Sequence, residues 1–262
     1  MTEVWSWHET VVVVPFRLDS RRFPRKALAP FQGKSLLRIA IDHAVQFRPA
    51  GVVVTAPSAD LKEVVGREDF RSLPVEWVPS ASTCGNATER VVQIFDRFDA
   101  ERFLSIPIDE PALNPREISH ALEGPILGPD VAGTFWCDFF EPADWQSPLS
   151  AKVVVGPGER LLYLSRTPIP VMKDGSVPPD ALRKNVGAFA FGRGFLERLR
   201  NAVLIPSQLD KLEGLEQLRW IELGLDVRCF KVQHIGFGID TEEQIRALER
   251  RLECWQAQGN FG

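Results

Sequence analysis

The sequence predicts an α/β fold built on a largely parallel central sheet with helices on both faces. Two short β-branched runs, VVVV at 11–14 and GVVVT at 51–55, are apolar enough for strands buried on both faces. Segments with apolar residues at helical spacing alternate with such runs from residue 11 to residue 106. This strand–helix alternation is typical of parallel sheets joined by crossover helices.

The first half of the chain predicts four strands and three helices in alternation. The strands are predicted at 11–14, 51–55, 75–78 and 103–106, and the helices at 35–47, 58–66 and 88–98. Ser35 and Ser58 are the predicted N-caps of the first two helices. In parallel sheets ligands bind beyond the carboxyl ends of the strands, so the loops after Val14, Val78 and Ile106 should share one crevice.

The second half predicts an excursion from this sheet, followed by a return to it. Residues 125–179 contain many of the prolines and three short strands, at 131–135, 152–155 and 161–164. We expect a single domain over 1–262, with an inserted region at about 125–190 that serves dimerisation or borders a ligand site. A return strand is predicted at 187–191, a periodic helix at 209–223, a final strand at 227–232 and a terminal helix at 241–252 capped by Thr241.

The composition excludes several classes of function. A net charge of −4 disfavours a broad nucleic-acid surface. No window approaches 18 apolar residues and the first residues lack the pattern of a signal peptide, so no membrane partner and a cytoplasmic location are expected. Neither the four cysteines nor the four histidines have the spacing of a metal site: Cys84, Cys137, Cys229, Cys254, His8, His43, His120 and His234.

A basic loop follows the first predicted strand. Arg17, Arg21, Arg22, Arg25 and Lys26 lie within ten positions. Like charges at this density repel one another unless an anion is present, and guanidinium and ammonium groups bind phosphate oxygens. The loop therefore predicts a polyphosphate site, with a solvated basic loop as the alternative.

Two acidic loops and one helix start complete the candidate chemistry. Asp109 follows the fourth predicted strand, and Asp240 precedes the last helix. Mg²⁺ prefers one or two carboxylates together with phosphate and water, so either residue is a candidate ligand. The segment from Thr88 to Arg90 opens a helix, where amide groups suit an anion or a base edge.

Taken together, these segments resemble the Kdo cytidylyltransferases (CMP-Kdo synthetases), enzymes of the GT-A-like nucleotidyltransferase fold. The family pattern P-A-R-x-x-S-x-R-L-P-x-K meets Pro15, Arg17, Ser20, Arg22, Pro24 and Lys26, and S-G-T-E-R meets Ala87, Thr88, Glu89 and Arg90. The patterns Q-G-D-E-P, Y-F-S-R-x-x-I-P, L-E-x-x-E-x-L-E-Q-L and V-D-T meet residues 107–111, 163–170, 209–218 and 239–241 in order. The resemblance covers residues 11 to 252.

The resemblance implies an enzyme that transfers CMP from CTP to a small acidic acceptor, with Mg²⁺ as cofactor, as a homodimer. It implies catalytic roles for Arg17, Lys26 and Asp109, and metal binding by Asp109 and Asp240. It implies nucleotide binding by Pro15, Arg17, Ser20, Arg22, Lys26, Ala87, Thr88, Arg90 and Asp109. We assign the acceptor to Arg21, Arg25, Pro107, Arg166, Lys184, Asn185, Glu213 and Glu216.

The chain departs from the family pattern where the family contacts its sugar acid. Pro107 and Ile108 replace the Gln-Gly of Q-G-D-E-P, and Asn185 and Phe189 replace the His and Tyr of R-H-x-G-x-Y. A polyhydroxylated acceptor would lose hydrogen bonds there. These departures favour a smaller, more anionic acceptor, and we expect a phosphonate such as phosphonoformate, as in natural-product pathways.

Three alternatives remain at this point. In the first, the enzyme acts on the 3-deoxy-2-keto sugar acid Kdo, and the departures have no effect on the choice of acceptor. A GT-A glycosyltransferase would share the strand-end carboxylate but has no need of the basic loop. A non-catalytic nucleotide-binding protein would have no need of Lys26, Asp109 and Asp240 together.

Overall fold

A computed structural model describes residues 5–71, 73–123, 127–202, 205, 207–233 and 237–257. The two β-branched runs form neighbouring interior strands of its main sheet. The strands are β1 Thr10–Pro15, β2 Pro30–Phe31, β3 Lys34–Ser35, β4 Gly51–Pro57, β5 Glu76–Ser80, β6 Arg102–Ser105, β7 Val131–Cys137, β8 Lys152–Val155, β9 Leu161–Ser165, β10 Lys184–Gly192 and β11 Asp226–Lys231. The helices are α1 Leu36–Gln46, α2 Ser58–Val65, α3 Ala87–Ile94, α4 Pro115–Glu123, α5 Pro142–Gln146, α6 Arg193–Asn201, α7 Gln208–Glu213, α8 Gln217–Glu222 and α9 Glu242–Ala257.

The main sheet has the order β11-β7-β10-β6-β1-β4-β5. β1 pairs in parallel with β4 and β6, β4 with β5, and β11 with β7, whereas β10 runs antiparallel to both β6 and β7. The predicted fold class, a largely parallel sheet with helices, is confirmed.

Successive β1 side chains point to opposite faces of the sheet, and all of them are apolar or buried, so helices pack on both faces. Val12 and Val14 pack in one core with Leu37 and Ile41 of α1. Val11 and Val13 pack in the opposite core with residues of α3, among them Ile94. Every residue of β1 is buried, which explains why its sequence reads as a continuous apolar run.

The prediction that 131–135 leaves the main sheet is wrong. β7 lies between β10 and β11 and is hydrogen-bonded to both. Among the described strands of 127–179, the β8–β9 hairpin alone branches away, and it joins the sheet where Lys184 of β10 pairs with Lys152 of β8. The described prolines of this region lie outside its strands, and one of them, Pro142, begins α5, so a high proline content does not mark the whole region as an insertion.

The single helix predicted over 209–223 is also wrong in the structure, because α7 and α8 are separated at Gly214. This glycine has φ +62, a left-handed conformation that ends a helix and that glycine adopts without strain. Periodic apolar positions continue across the break, so the pattern alone cannot locate it. The break places Glu216 and Gln217 at the start of a new helix, beside a cavity described below.

Several smaller differences concern helix ends. Ser35 caps α1, since its hydroxyl accepts a hydrogen bond from the Arg38 amide at 3.2 Å, whereas Ser58 is the first residue of α2 rather than its cap. Asn86 caps α3 by accepting from the Glu89 amide. The helices α4 and α6 were not among the predicted elements.

All four cysteines are free. His234 lies outside the described residues, and the described part of the chain holds no group of three or more His, Cys, Asp or Glu placed to bind a metal. Within the same described ranges, no helix combines the length and the apolarity that crossing a bilayer requires.

Candidate active site

Two neighbouring cavities open beyond the carboxyl ends of β1 and β6. The first, here called the basic cavity, has a volume of about 540 Å³ and includes all the predicted nucleotide residues except Thr88, which does not line it: Pro15, Arg17, Ser20, Arg22, Lys26, Ala87, Arg90 and Asp109. The second, here called the side cavity, has a volume of about 400 Å³ and includes Pro107, Arg166, Lys184, Asn185 and Glu216. Arg22, Ala87, Asp109 and Asp240 line both cavities, so the two spaces meet at these residues.

Lys26 lies at the centre of this meeting point. Its Nζ is 2.8 Å from Asp109 Oδ2 and 3.6 Å from Asp240 Oδ1, and the residue is only 8% exposed. Arg22 pairs with the same Asp240 oxygen at 3.0 Å. Two carboxylates that are far apart in the sequence therefore converge on one buried ammonium group.

Backbone hydrogen bonds hold this arrangement together. The amide of Arg25 donates to Leu18 O at 2.8 Å, which closes the basic loop, and the amide of Leu18 donates to Asp60 Oδ2 at 2.8 Å. The amide of Ile239 donates to Asp109 O at 2.7 Å, which ties the two acidic loops to each other. The carboxylates are therefore positioned by the backbone as well as by Lys26.

Asp109 and Asp240 could hold Mg²⁺. Mg²⁺ in proteins commonly takes one or two carboxylates and completes its shell with phosphate oxygens and water. The Asp109 side chain is 34% exposed and that of Asp240 is 17% exposed, so both reach the shared space. The donor set therefore fits a metal that is bound together with a phosphate group.

The start of α3 forms another wall of the basic cavity. Arg90 is 4% exposed, and its guanidinium donates to Ser80 Oγ at 2.8 Å and to the carbonyls of Ala81 and Cys84 at 3.1 and 3.4 Å. Burial, with the nearby charge of Arg17, lowers the pKa of Arg90 below its usual range. Arg90 thus shapes the loop that precedes α3 as well as lining the cavity.

The predicted acceptor residues separate in the structure. Pro107, Arg166, Lys184, Asn185 and Glu216 line the side cavity. Arg21 lines the basic cavity instead. Arg25 adopts φ +60 and pairs with Glu63 outside both cavities, so its assignment to the acceptor is corrected.

Glu213 is likewise not among the residues that line either cavity. Its carboxylate accepts hydrogen bonds from Ser165 Oγ and from the Arg166 amide, both at 2.8 Å. Because both carboxylate oxygens are engaged in joining α7 to the end of β9, Glu213 supports the cavity wall without facing the cavity. The assignment of Glu213 to the acceptor is corrected accordingly.

Side chains not predicted from the sequence complete the side cavity. Gln217 Nε2 and Thr134 Oγ1 both donate to Asn185 Oδ1 at 3.3 Å. Glu110 Oε1 accepts from the Gly187 amide at 2.8 Å, and a Cβ on Gly187 would lie 3.1 Å from that oxygen. The sequence motif 107–111 contains Glu110, but nothing in it indicates that its partner lies 77 residues away.

Glu216 lies between the side cavity and α3. Its Oε2 accepts from the Thr88 amide at 3.0 Å. Burial raises the pKa of Glu216 to about 7, although the bond to Thr88 favours the charged form. Near neutral pH this carboxyl group can therefore exchange a proton.

Replacing Glu216 by glutamine is expected to stabilise the protein above neutral pH. A carboxyl group whose folded pKa is raised contributes stability below its unfolded pKa and loses that contribution as the pH rises through about 7. The free energies of unfolding of the variant and the wild type should be equal near pH 4. By pH 8 that of the variant should be about 1 to 2 kcal/mol higher, a moderate difference because Glu216 keeps some exposure to water. Urea unfolding at pH 4, 6 and 8 measures this difference. A constant difference across the three values would contradict the raised pKa.

Comparisons with known proteins agree with this geometry. The family model described as cytidylyltransferase matches residues 11–227. The 3-deoxy-manno-octulosonate cytidylyltransferase of Acidobacterium capsulatum is 33% identical over 242 residues, covering 92% of this chain and 95% of the relative. The Escherichia coli protein of the same name is 29% identical and covers 92% and 96% of the two chains.

Solved structures give the same result. A CMP:2-keto-3-deoxy-manno-octonic acid synthetase complexed with CTP superposes with a TM-score of 0.76 at 26% identity, over 96% of this chain and 99% of the other. The inositol-1-phosphate CTP transferase of T. maritima shares the fold, with a TM-score of 0.66 at 14% identity, over 95% and 97% of the two chains. With a family model spanning most of its length and relatives that match from end to end, the chain belongs to the cytidylyltransferase family and is a CTP-dependent nucleotidyltransferase.

Proposed function

We propose that the enzyme transfers CMP from CTP to 3-deoxy-manno-octulosonate or a closely similar sugar acid and releases pyrophosphate. The observation that carries this proposal is the meeting of two cavities at Arg22, Ala87, Asp109 and Asp240. A nucleoside triphosphate in the basic cavity and an acid in the side cavity would present their reacting groups to each other there. The curated relatives bear the name of this acceptor.

The proposed reaction is a displacement at the α-phosphorus of CTP. An acceptor oxygen forms the new bond to phosphorus, its proton is lost to solvent or a basic group, and the bond to the β-phosphate oxygen breaks. Arg17 and Arg22 neutralise the phosphates, and Lys26 donates to the oxygens on which charge develops. Mg²⁺, when held by Asp109 and Asp240, would supply further neutralisation of the pyrophosphate.

The side cavity favours an acceptor larger than a simple phosphonate. Its volume of about 400 Å³ is in the range of cavities that enclose a whole small molecule. Lys184 and Arg166 bring positive charge to the wall, which suits a carboxylate, and Asn185 and Gln217 bring amide groups, which suit hydroxyls. A sugar acid offers both kinds of group.

A small phosphonate such as phosphonoformate is the second candidate, and one observation favours it. Pro107 and Phe189 line the side cavity without a side-chain hydrogen-bond donor. Phe189 packs edge-on against Trp220, with ring centroids 5.2 Å apart, so this wall is apolar. A polyhydroxylated acid gains nothing from these two positions.

Pyrophosphate release from CTP and Mg²⁺ with a panel of acceptors tests the proposal. The panel contains 3-deoxy-manno-octulosonate, a sialic acid, phosphonoformate and 2-hydroxyethylphosphonate. We expect turnover with the octulosonate to exceed turnover with either phosphonate by at least about tenfold, which is 1.4 kcal/mol of discrimination. The reverse ranking would favour the second candidate.

Two further outcomes address the remaining alternatives. Binding of CTP without release for any acceptor would favour a non-catalytic nucleotide-binding protein. Exchange of labelled pyrophosphate into CTP, in the presence of the acceptor, would exclude a glycosyltransferase, because such an enzyme leaves the pyrophosphate on the departing nucleotide.

A further inference from the structure

One wall of the side cavity is a short segment, 147–150, whose four backbone carbonyls are all held by two cations. Lys152 Nζ donates to Ser147 O and Ser150 O, both at 2.7 Å. The guanidinium of Arg166 donates to Pro148 O and Leu149 O, both at 3.2 Å. Each cation thus receives two carbonyl oxygens, and its charge offsets the repulsion between their partial negative charges.

Lys152 is itself fully enclosed. It has an exposed fraction of 0%, and its third ammonium hydrogen bond, at 2.8 Å, goes to the carbonyl of Arg166. All three donors of the ammonium group are thereby used on backbone oxygens. A buried lysine is costly unless it is fully hydrogen-bonded, so this position is built for a cation.

The segment that Lys152 holds belongs to the site. Ser147, Leu149 and Ser150 line the side cavity, together with Ala151. Lys152 itself lines neither cavity, so it acts on the side cavity indirectly, through the backbone segment whose carbonyls it binds.

We propose that Lys152 is a positioning residue for the acceptor: its ammonium group fixes segment 147–150 as a wall of the side cavity, and it thereby sets the affinity for the acceptor and not the affinity for CTP. This inference rests on the proposed function, in which the acceptor occupies the side cavity. The link through Arg166 extends the effect, because Nε and Nη2 of Arg166 also donate to the carbonyls of Glu213 and Gly214, respectively, at the break between α7 and α8. One lysine thus supports the cavity wall from two sides.

The energetic state of Lys152 agrees with this role. Burial, reinforced by the charge of Arg166, lowers the pKa of Lys152 to about 8, while Glu213 opposes the shift. Burial therefore disfavours the charged form of Lys152, and its hydrogen bonds to three backbone carbonyls offset part of that desolvation cost.

The variant Lys152→Met tests the inference, since methionine has a similar length but no donors. We expect hydrogen exchange of the amides in 147–151 to accelerate about tenfold or more, and the KM for the acceptor to rise by a similar factor, as for loss of charge-assisted hydrogen bonds. The Kd for CTP, measured by titration, should stay within about twofold of the wild type, because segment 147–150 lines the side cavity and not the basic cavity. Unchanged exchange in 147–151, or an equal loss of CTP and acceptor affinity, would overturn the inference.

A second variant keeps the test open if Lys152→Met does not fold. Pro148 is exposed and does not line the cavity, so Pro148→Gly loosens the segment while leaving both cations in place. We expect the acceptor KM to rise about two- to fivefold through the added backbone freedom. The matched control is Pro157→Gly at the far end of the β8–β9 hairpin, which should leave this KM unchanged. Equal effects of the two proline variants would also overturn the inference.

The exchange measurement separates this inference from the proposed function, because it needs no acceptor. If the wild-type enzyme releases pyrophosphate with no member of the panel, the proposed function fails. Accelerated exchange in Lys152→Met would still support the role of Lys152 in fixing the segment, and unchanged exchange would refute it.

Discussion

Replacing Lys26 by alanine is expected to lower kcat for pyrophosphate release by about 10²- to 10³-fold, the usual cost of removing one positioned donor that acts on developing charge. The ammonium group lies where the two cavities meet, 2.8 Å from Asp109 and 3.6 Å from Asp240. Without it, the two carboxylates face the phosphates with their negative charge uncompensated on that side. The variant should therefore lose transition-state stabilisation and also bind CTP more weakly.

The comparison with Lys34→Ala isolates the effect of position from that of charge. Lys34 pairs with Asp42 at 2.7 Å on the exposed side of α1, away from both cavities. Steady-state kinetics with both substrates saturating should show wild-type turnover for this control. A Lys26→Ala enzyme with unchanged kcat would mean that Lys26 only organises the loops, and a lowered melting temperature would then be its main phenotype.

Much of the sheet and of the basic cavity could be predicted from the sequence because both depend on local patterns. β1 and β4 are buried on both faces, so their sequences are continuous apolar runs. Ligand-binding residues of a parallel sheet lie at the carboxyl ends of its strands, so the basic loop after β1 and Asp109 after β6 are expected to lie together. Asp240 joins them through the backbone bond from Ile239 to Asp109 O. The residues alone made Asp240 only a candidate ligand, and the family resemblance paired it with Asp109.

The side cavity was harder to predict because its residues are defined by distant partners. Arg25 and Glu213 have the residue types of acceptor ligands, yet Arg25 pairs with Glu63 and Glu213 binds Ser165. Lys152 begins a strand of sequence KVVV, and an isolated lysine at a strand end ordinarily suggests exposure to water. Its burial depends on carbonyls that only the folded segment 147–150 presents.

The second large effect concerns the carboxylates themselves. Asp109→Asn and Asp240→Asn are each expected to reduce kcat by about 10²- to 10³-fold and to raise the Mg²⁺ concentration needed for half-maximal rate. Asparagine keeps the shape of the side chain but carries no charge, so it weakens binding of a hard cation more than it disturbs packing. The exposed Asp138, which pairs with Lys231 at 2.8 Å, provides the control variant Asp138→Asn.

The double variant, read together with the Mg²⁺ dependence of the single variants, distinguishes a shared metal site from ion pairs with Lys26 and Arg22. If Asp109 and Asp240 hold one ion together, removing the second carboxylate should cost little once the first is gone, because residues that act as a unit are strongly non-additive. If the carboxylates only neutralise Lys26 and Arg22, their shared partner Lys26 also makes the losses non-additive, but the Mg²⁺ dependence of the single variants should then match that of the wild type. Wild-type Mg²⁺ dependence in both single variants would therefore refute the metal assignment, even if both enzymes were slow, because the lost rate would then come from the lysine and arginine that these carboxylates orient.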